Sequence, residues 1–442
     1  MKTGYLLPTL WLALTSVTWA NSPDWVTDQP QLEALYQDLH RHPELSFQEQ
    51  ATAQKLATQL AELGFEVTTD LGGHGVVGLM FNGDGPTVMI RTDTDALPIT
   101  EETGKEYASK VRVTLPSGAE SGVMHACGHD LHMTSFIGTA RQLAANKDQW
   151  QGTLMMVAQG AEEVGGGAKA MLNEGLFERF ARPDHILALH VSASLPAGKV
   201  AIRPGYTLAS VDSVDIQVFG KGGHGAYPHT TVDPIVLASR IVLALQTITS
   251  REISPLEPSV VTVGSIHGGT KHNVIGNEVT LQLTLRSYSP QVREAQLAAI
   301  KRLSAGIAMS AGLPPELYPT VTVHEQESIP STYNDPAQTA QVREALQLAL
   351  GAEQVEDTEP VMAGEDFGLY GRTGDKLPIT IFWLGTVEPE QFNAARINGT
   401  ALPSLHSSHF APDYRAAIPV GVKAMTQSAL MLFNANPAAD PF

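Results

Sequence analysis

The apolar residues of this chain repeat at helical spacing in some segments and form short continuous runs in others. Helical spacing over residues 31–42 and 48–63 predicts two helices, and Gly64 supplies a stop signal after the second. Short apolar runs bounded by Gly and Pro predict strands that alternate with further helices. The predicted strands are 76–81, 87–90, 153–157 and 185–189, and the helices are 133–145 and 168–172. This alternation indicates an α/β domain with a mostly parallel central sheet.

The pattern changes near residue 211. Six elements follow in the order strand, helix, strand, strand, helix, strand, which is the split βαβ arrangement of ferredoxin-like α+β domains. They are predicted at 214–218, 232–249, 259–263, 278–286, 291–311 and 320–323, and the elements after them at 337–350, 379–384 and 416–432. We therefore predict an inserted α+β domain at 211–325 within a discontinuous α/β domain at 21–210 and 326–442.

Residues 1–20 have the features of a secretory signal peptide. Lys2 gives a positive start, residues 6–14 are mostly apolar, and Thr-Trp-Ala at 18–20 is a small-residue cleavage signal. The alternative, a buried N-terminal helix, is disfavoured by Pro8 and the Thr and Ser residues that follow. The apolar run is shorter than the about 20 residues that span a bilayer. We therefore expect an exported protein that is soluble in the periplasm or after secretion.

Composition narrows the range of partners. The 442 residues include 28 Lys and Arg against 46 Asp and Glu, a net charge of −18. Such a chain repels nucleic-acid phosphates and anionic lipids, so we expect neither a nucleic-acid nor a membrane partner. Cys127 is the single cysteine, which excludes a disulfide within the chain. A lone thiol in an exported protein is a buried bystander, a reactive thiol or a metal-bound thiolate.

The densest chemistry surrounds this cysteine. Residues 124–132 read Met-His-Ala-Cys-Gly-His-Asp-Leu-His and offer imidazole, thiolate and carboxylate groups, which zinc and related metals prefer. A single histidine here would more often be structural, but this density favours a metal site. Coordination would also keep Cys127 deprotonated.

Further polar clusters follow the predicted strands. They are Asp93 and Asp95, Glu162 and Glu163, His190, and, before the last helix, His406 and His409. Each cluster alone is compatible with a solvated loop or a structural role. Open α/β sheets bind ligands at the carboxyl ends of their strands, and together the clusters indicate a two-metal hydrolytic site. One Glu would ligate metal, the other would act as general base, and the aspartates would ligate or orient an imidazole.

Taken in order, these motifs resemble the amidohydrolase branch of the co-catalytic metallopeptidases. The matching segments are RTDTDALP at 91–98, MHACGHDLH at 124–132, GAEE at 160–163, LHV at 189–191, NVI at 273–275, AGEDF at 363–367 and LHS at 405–407. The branch includes hippurate hydrolases, N-acyl-amino-acid amidohydrolases, N-acetyldiaminopimelate deacetylases and auxin-conjugate hydrolases. The resemblance implies a catalytic α/β domain, an inserted lid that often dimerises, two divalent metal ions per subunit and hydrolysis of an amide next to a free carboxylate.

Site residues follow from the resemblance position by position. The implied metal ligands are Cys127, His129, Glu163, His190 and His406, with His409 as the alternative to His406 because Ser408 replaces the usual Pro. Cys127 takes the place of the bridging aspartate of peptidase cousins. The implied catalytic residues are Glu162 as general base, Asp95, and His224, which in relatives often reaches the partner subunit's active site. The implied substrate-binding residues are Asn273, Arg286 and Gly364, although residues 222–225 alone suggest a mobile loop and Arg286 a solvated strand edge.

The sequence therefore predicts a metal-dependent amidohydrolase that acts on N-acyl amino acids. Zinc is the expected metal, with manganese, cobalt and nickel as alternatives, and the resemblance implies a homodimer through residues 211–325. A dipeptidase or carboxypeptidase on the same scaffold is the closest alternative. A non-catalytic amino-acid- or peptide-binding protein is a third possibility, which would be marked by loss of Glu162 or of a ligand; none is missing.

Overall fold

A computed structural model describes residues 29–374 and 376–435. The signal peptide predicted at 1–20 lies outside these residues and stays a prediction.

Eight of the ten helices of the described residues were predicted from the helical spacing of the sequence, and the helices Leu176–Arg179 and Pro389–Asn398 were not. The ten helices are α1 (Gln29–Arg41), α2 (Gln50–Glu62), α3 (His129–Ala145), α4 (Gly167–Asn173), α5 (Leu176–Arg179), α6 (Pro234–Thr247), α7 (Pro290–Ser310), α8 (Pro336–Leu350), α9 (Pro389–Asn398) and α10 (Tyr414–Phe433). Helix α3 begins four residues before the predicted start at 133, which places His129, Asp130 and His132 on its first turn.

The strands of the same residues form two large sheets and three short two-stranded pairs. They are β1 (Glu66–Leu71), β2 (Gly75–Asn82), β3 (Thr87–Asp93), β4 (Arg112–Thr114), β5 (Glu120–Gly122), β6 (Gly152–Gln159), β7 (His185–Pro196), β8 (Val200–Ile202), β9 (Gly205–Leu208), β10 (Ser210–Phe219), β11 (Gly223–His224), β12 (Ser259–Gly268), β13 (Val274–Ile275), β14 (Glu278–Ser287), β15 (Thr320–Val323), β16 (Thr332–Asn334), β17 (Val355–Asp357) and β18 (Ile379–Val387).

The larger sheet has the order β1-β2-β6-β3-β7-β18-β8-β17. Its centre, from β6 through β3 and β7 to β18, is parallel, and β1 and β2 add an antiparallel edge. Strand β3 is buried along its whole length. Val88 and Ile90 face one apolar core and Met89 faces another on the opposite side, as expected for a strand covered on both faces. The predicted α/β architecture with a mostly parallel sheet is confirmed.

The second sheet has the order β12-β14-β10-β15 and is antiparallel throughout. Helices α6 and α7 pack against it, and Val214, Ile216, Leu281 and Leu285 contribute to a separate apolar core. The sequence of elements is the predicted split βαβ arrangement. The limits 211–325 as a domain boundary remain a prediction.

Helix α10 is the one described helix that is long and apolar enough to cross a membrane. Two thirds of its most apolar window is buried inside the protein, and it contacts α3 and α8 as well as strands of the larger sheet. Its apolar residues are therefore accounted for by the core.

Candidate metal centre

The candidate site lies at the carboxyl edge of the larger sheet. Strands β6, β3 and β7 are adjacent and parallel, so their carboxyl ends meet along one edge. Asp93 ends β3, Glu162 and Glu163 follow β6, and His190 lies in β7. The polar clusters that the sequence separates by up to a hundred residues thus converge at this edge.

Cys127 and His129 reach the same edge at the start of α3. Gly128 between them has a φ of 81°, a left-handed conformation that glycine adopts without strain. A Cβ at this position would lie 2.6 Å from Val191 Cγ2. The tight approach of α3 to β7 therefore requires glycine here, and it brings Cys127 next to His190.

Cys127 is the centre of the cluster. Its Sγ is buried and lies 3.5 Å from Nε2 of His190 and 3.3 Å from Nε2 of His406. Two groups of three potential ligand atoms, each within 4.8 Å of one another, share this sulfur: Cys127, His129 and His190 form one, and Cys127, Glu163 and His406 form the other. This geometry fits two neighbouring cation sites that share the Cys127 sulfur.

Two imidazoles are oriented by backbone carbonyls. Nδ1 of His190 donates to the Val191 carbonyl oxygen at 2.8 Å, and Nδ1 of His129 donates to the Asp95 carbonyl oxygen at 2.8 Å. A carbonyl oxygen can only accept, so Nδ1 carries the proton and a neutral ring presents the lone pair of Nε2 to the cluster. Nε2 of His129 is buried and has no hydrogen-bond partner among the described residues. A buried ring nitrogen without a hydrogen-bond partner is suited to bind a metal ion.

The acidic groups of the cluster also fit a cation. Burial raises the pKa of Glu163 to about 7, although His129 lowers it in part. Burial and the charges of Glu365 and Glu163 raise the pKa of Glu162 well above its usual range. Burial raises the pKa of the Cys127 thiol in the same way. Each of these shifts favours the protonated group in the absence of a cation, and divalent metal ions would replace the protons and compensate the negative charge.

Asp95 orients the turn that carries the two glutamates. Its Oδ1 accepts from the Glu162 N–H at 3.1 Å, and its Oδ2 accepts from the Glu163 N–H at 3.0 Å and from Ser46 Oγ at 2.6 Å. Burial raises the pKa of Asp95, but hydrogen bonds from His129 and Ser46 lower it overall. The carboxylate is thus held ionised behind the ligand atoms, and its position is that of an orienting residue.

Both ring nitrogens of His132 form hydrogen bonds within the protein. Its Nε2 accepts from the Val191 N–H at 2.8 Å, so its Nδ1 donates to Asp93 Oδ1 at 2.5 Å. Although Asp93, His129 and His132 also lie close enough to hold a metal, neither nitrogen of His132 is free. His132 therefore holds Asp93 and β7 in place.

The structure separates the two candidates for the last ligand. The His406 side chain points at the cluster, and its Nε2 lies 3.5 Å from Glu163 Oε2. The backbone N–H of His406 donates to the Ala126 carbonyl oxygen. His409 is exposed, and its ring nitrogens face the Glu102 carbonyl oxygen at 3.0 Å and the Glu102 carboxylate. The geometry favours His406.

Two buried contacts behind the site were not predicted from the sequence. Glu49, at the start of α2, accepts from the Ala161 N–H at 2.7 Å and from the Phe47 N–H. Ala161 has a φ of 52°, a conformation uncommon for residues with a Cβ. Glu49 therefore stabilises the turn that leads into Glu162. An acidic residue at a helix start gives no sign of such a distant contact, since it is common there for local reasons.

The second contact is an ion-pair network around Arg91, a fully buried residue of β3. Its guanidinium lies 2.8 Å from Asp93 and 3.0 Å from both Glu365 and Asp366. Carboxylate oxygens of Glu162, Glu365 and Asp366 also lie within 4.8 Å of one another. The resemblance implied a role for Gly364 alone in this segment, and the structure adds the carboxylates of Glu365 and Asp366 as ion-pair partners of Arg91. A charged residue directly after the apolar run at 87–90 was the available signal for this network.

A cavity of about 730 Å³ opens in front of the cluster and extends to the second sheet. Its walls include Arg286 from β14, Gly364, and Val211 and Ile329. Gly364 is tightly packed, because a Cβ there would lie 2.9 Å from Ile329 Cδ1. The Arg286 side chain has no carboxylate at ion-pair distance among the described residues. A guanidinium is thus available to an anionic ligand.

His224 and Asn273 lie elsewhere in the single chain. Both are exposed: His224 lies in the short β11–β13 pair, and Asn273 lies in the turn directly before β13, where its carbonyl oxygen accepts from the Gly225 N–H at 2.9 Å. Neither residue lines the cavity in front of Cys127. The structure therefore does not bring them to the site within one chain.

Comparison with known proteins identifies relatives over most of the chain. It is 37% identical over 398 residues to a putative amidohydrolase, YhaA, of Bacillus subtilis, covering 90% of this chain and 91% of that one. It is 36% identical over 395 residues to thermostable carboxypeptidase 1 of Saccharolobus solfataricus, covering 88% and 91%. It is 36% identical over 363 residues to an N-acetylcysteine deacetylase of Bacillus subtilis, covering 81% and 89%.

Comparison with solved structures gives relatives of the same kind. A putative aminohydrolase from methicillin resistant Staphylococcus aureus has a TM-score of 0.79 at 33% identity, and the YXEP protein of Bacillus subtilis, described as a dinuclear metal binding peptidase, has 0.74 at 30%. Each comparison covers 92% of this chain and 98% of the other. The model of peptidase family M20/M25/M40 matches residues 89–425. The resemblance inferred from the motifs is therefore confirmed, and the chain belongs to peptidase family M20/M25/M40.

Proposed function

We propose that this protein is a metal-dependent amidohydrolase that cleaves N-acyl amino acids into a carboxylic acid and a free amino acid. The observation that carries the proposal is the pair of donor groups sharing Cys127, with Glu162 outside both groups and Arg286 in the same cavity. The similarity to a deacetylase of an N-acetylated amino acid supports it.

The two donor sets support a proposal of two metal ions per subunit. Cys127, His129 and His190 would hold one ion, and Cys127, Glu163 and His406 the other. A thiolate with imidazoles suits zinc best, with manganese, cobalt or nickel as alternatives. Bound there, such ions supply Lewis-acid polarisation of a carbonyl and acidify water.

Side chains of the protein bind the substrate, transfer the proton and position the base. Arg286 binds the carboxylate of the amino acid, which orients the amide toward the donor cluster. Glu162 accepts the proton of the attacking water and passes it to the leaving amine. Asp95 keeps the backbone of Glu162 and Glu163 in place through its two hydrogen bonds.

His224 completes this proposal from a second subunit. Because it is exposed on the β11–β13 pair and does not line the cavity of its own chain, it is available to another copy of the chain. We assign it to stabilisation of the oxyanion in the partner's site, where a preorganised donor contributes a few kcal/mol. Asn273, in the turn directly before β13, would contact the substrate from the same side.

A carboxypeptidase or dipeptidase activity is the second candidate. The relative from Saccharolobus solfataricus is named a carboxypeptidase, and Arg286 would bind the terminal carboxylate of a peptide equally well. A non-catalytic binding protein is disfavoured, since Glu162 and all five proposed ligands are present.

A substrate panel distinguishes these functions. N-acetyl and N-benzoyl amino acids and matched dipeptides would be assayed with the protein loaded with zinc, manganese, cobalt or nickel. We expect kcat/KM for the N-acyl compounds to exceed that for dipeptides of the same C-terminal residue. A preference for dipeptides would instead favour the peptidase, and no hydrolysis with any metal would contradict both.

We also propose that the protein is exported after removal of residues 1–20, as their sequence predicts. Expression of the full chain followed by N-terminal sequencing of the exported fraction tests this. A mature N-terminus near residue 21 is expected, and retention of the intact chain in the cytoplasm would contradict it.

A further inference from the structure

A second cavity, of about 780 Å³, adjoins the one in front of the metal centre. Ala363, Trp383 and Leu405 line both cavities. The volume is in the range of cavities that enclose a whole small ligand. It is far more space than an acetyl group needs.

The shared wall lies directly beside the proposed ligands. The ring of Trp383 packs edge-on against the ring of His190, with centroids 5.3 Å apart, and Leu405 immediately precedes His406. Arg286, by contrast, lines only the first cavity. A substrate whose carboxylate binds Arg286 and whose amide lies at the donor cluster therefore has its acyl side next to the second cavity.

The walls of the second cavity combine polar residues such as Ser194, Thr358 and Arg396 with a set of apolar side chains. Val361, Phe392 and Leu402 face the cavity together with the shared Trp383 and Leu405. Burial of an apolar chain against such side chains is favourable in proportion to the area removed from water.

The acidic side chains of this cavity already have basic partners. Glu356 pairs with Lys199, Asp357 lies 2.5 Å from Arg343, and Glu359 lies 3.7 Å from Arg203. Arg396 also lines the cavity, so the charged groups of the cavity taken together do not select for a cationic ligand.

We propose that the second cavity is the binding site for the acyl chain, and that the preferred substrates are amino acids carrying a linear, medium-length fatty acyl group. The inference rests on the proposed amidohydrolase function and specifies its substrate class. It predicts that acyl length, more than the amino acid, determines the catalytic efficiency.

An acyl series on one amino acid tests the inference. The metal-loaded protein would be assayed with the acetyl, butanoyl, hexanoyl, octanoyl and decanoyl derivatives of L-alanine. Each methylene buried in the cavity is expected to raise kcat/KM by about three- to fourfold, the factor that corresponds to transfer of one CH₂ group from water. The increase should level off when the cavity is filled.

Variants on helix α9 and the neighbouring loop localise the effect. Phe392→Ala removes part of the apolar wall, and Ile397→Ala on the same helix is the matched control, since Ile397 is 81% exposed and lines neither cavity. We expect the octanoyl-to-acetyl ratio of kcat/KM to fall about tenfold in the first variant and to be unchanged in the second. Ser404→Trp, which adds bulk to the cavity from an exposed position, should lower the same ratio.

The outcomes separate the two levels of the proposal. Hydrolysis of the acetyl compound with no gain from longer chains, or an octanoyl-to-acetyl ratio unaffected by both Phe392→Ala and Ser404→Trp, would overturn the acyl site and leave the amidohydrolase function intact. Failure to hydrolyse any member of the series would overturn the proposed function and the acyl site together.

Discussion

Single side chains at the metal centre are held by groups that fix their protonation as well as their position. The carbonyl oxygens of Asp95 and Val191 each take the Nδ1 proton of a histidine, which leaves Nε2 directed at Cys127. The thiol is shared by both donor groups, so its replacement affects two metal sites at once. Removal of a hydrogen bond that orients a metal-binding histidine commonly lowers metal affinity or activity by about 10- to 100-fold.

The identity of the last ligand can be tested with a matched pair. His406 has a φ of 64°, which Asn tolerates better than Ala, so His406→Asn and His409→Asn are the appropriate variants. We expect the metal content per chain, measured by mass spectrometry, to fall only in His406→Asn. Normal content in that variant together with loss in His409→Asn would reverse the assignment.

The sequence could identify the ligand residues because they lie in compact motifs. It could not identify Glu49 and the carboxylates of Glu365 and Asp366 as supports, since their contacts with Ala161 and Arg91 join segments more than one hundred residues apart. No local periodicity encodes such pairings; they follow only from the order of strands in the sheet.

At the scale of elements, His40 links helix α1 to the start of α3 through hydrogen bonds. Its Nδ1 lies 2.6 Å from Asp130 and its Nε2 lies 3.1 Å from Glu101. Tyr36 and Tyr107 pack around the ring. Burial lowers the pKa of His40, but its hydrogen bonds to the carboxylates of Asp130 and Glu101 raise it to about 9 overall.

This contact predicts a pH dependence of stability. The folded pKa of His40 exceeds its ordinary value of 6.5, so its stabilising effect is complete below about pH 6.5 and is lost as the pH rises through about 9. The loss amounts to roughly 3 kcal/mol. Buried His125 nearby, whose pKa burial lowers to about 4, stays neutral throughout this range.

Denaturant unfolding of the wild type and of His40→Gln across this pH range measures the effect. The difference between their free energies of unfolding should shrink by roughly 3 kcal/mol between about pH 6.5 and about pH 9.5. Parallel curves for the two proteins would show that His40 is not the titrating group.

Element prediction succeeded where burial imposes a pattern. The central strands β3, β6 and β7 are apolar because both faces of the sheet are covered. Strand β1, with the sequence Glu-Val-Thr-Thr-Asp-Leu, is mostly solvent-accessible at a sheet edge and was not predicted. An edge strand pairs with one neighbouring strand only, and here most of its side chains face solvent. It therefore has no continuous apolar run from which it could be predicted.

At the scale of the whole molecule, the cavity between the two sheets combines residues from both. The order of elements in the second sheet was predictable, because its strands alternate polar and apolar residues and its helices follow at regular intervals. Its placement against the larger sheet was not, since it depends on contacts such as Val211 with Gly364. The approach of Arg286 to the donor cluster follows from that placement.

The proposed homodimer can be tested on the second sheet. Strand β12 is an edge strand with exposed Ile266, and Leu243 on α6 is 73% exposed; unpaired edges and exposed apolar side chains are features of interfaces. We expect Ile266→Lys to convert the protein to a monomer by light scattering, and Leu348→Lys on α8 to leave the dimer intact. A wild-type protein that is monomeric at every concentration would contradict the proposal.

Comparison of Glu162→Gln with the wild type, each loaded with metal, tests the central claim most directly. The variant keeps the size of the side chain but removes the base, so kcat for an N-acyl amino acid should fall by about 10²- to 10⁴-fold. Its metal content should remain that of the wild type, because Glu162 lies outside both donor groups that share Cys127. A variant that hydrolyses the substrate at the wild-type rate, with its metal content intact, would contradict the mechanism.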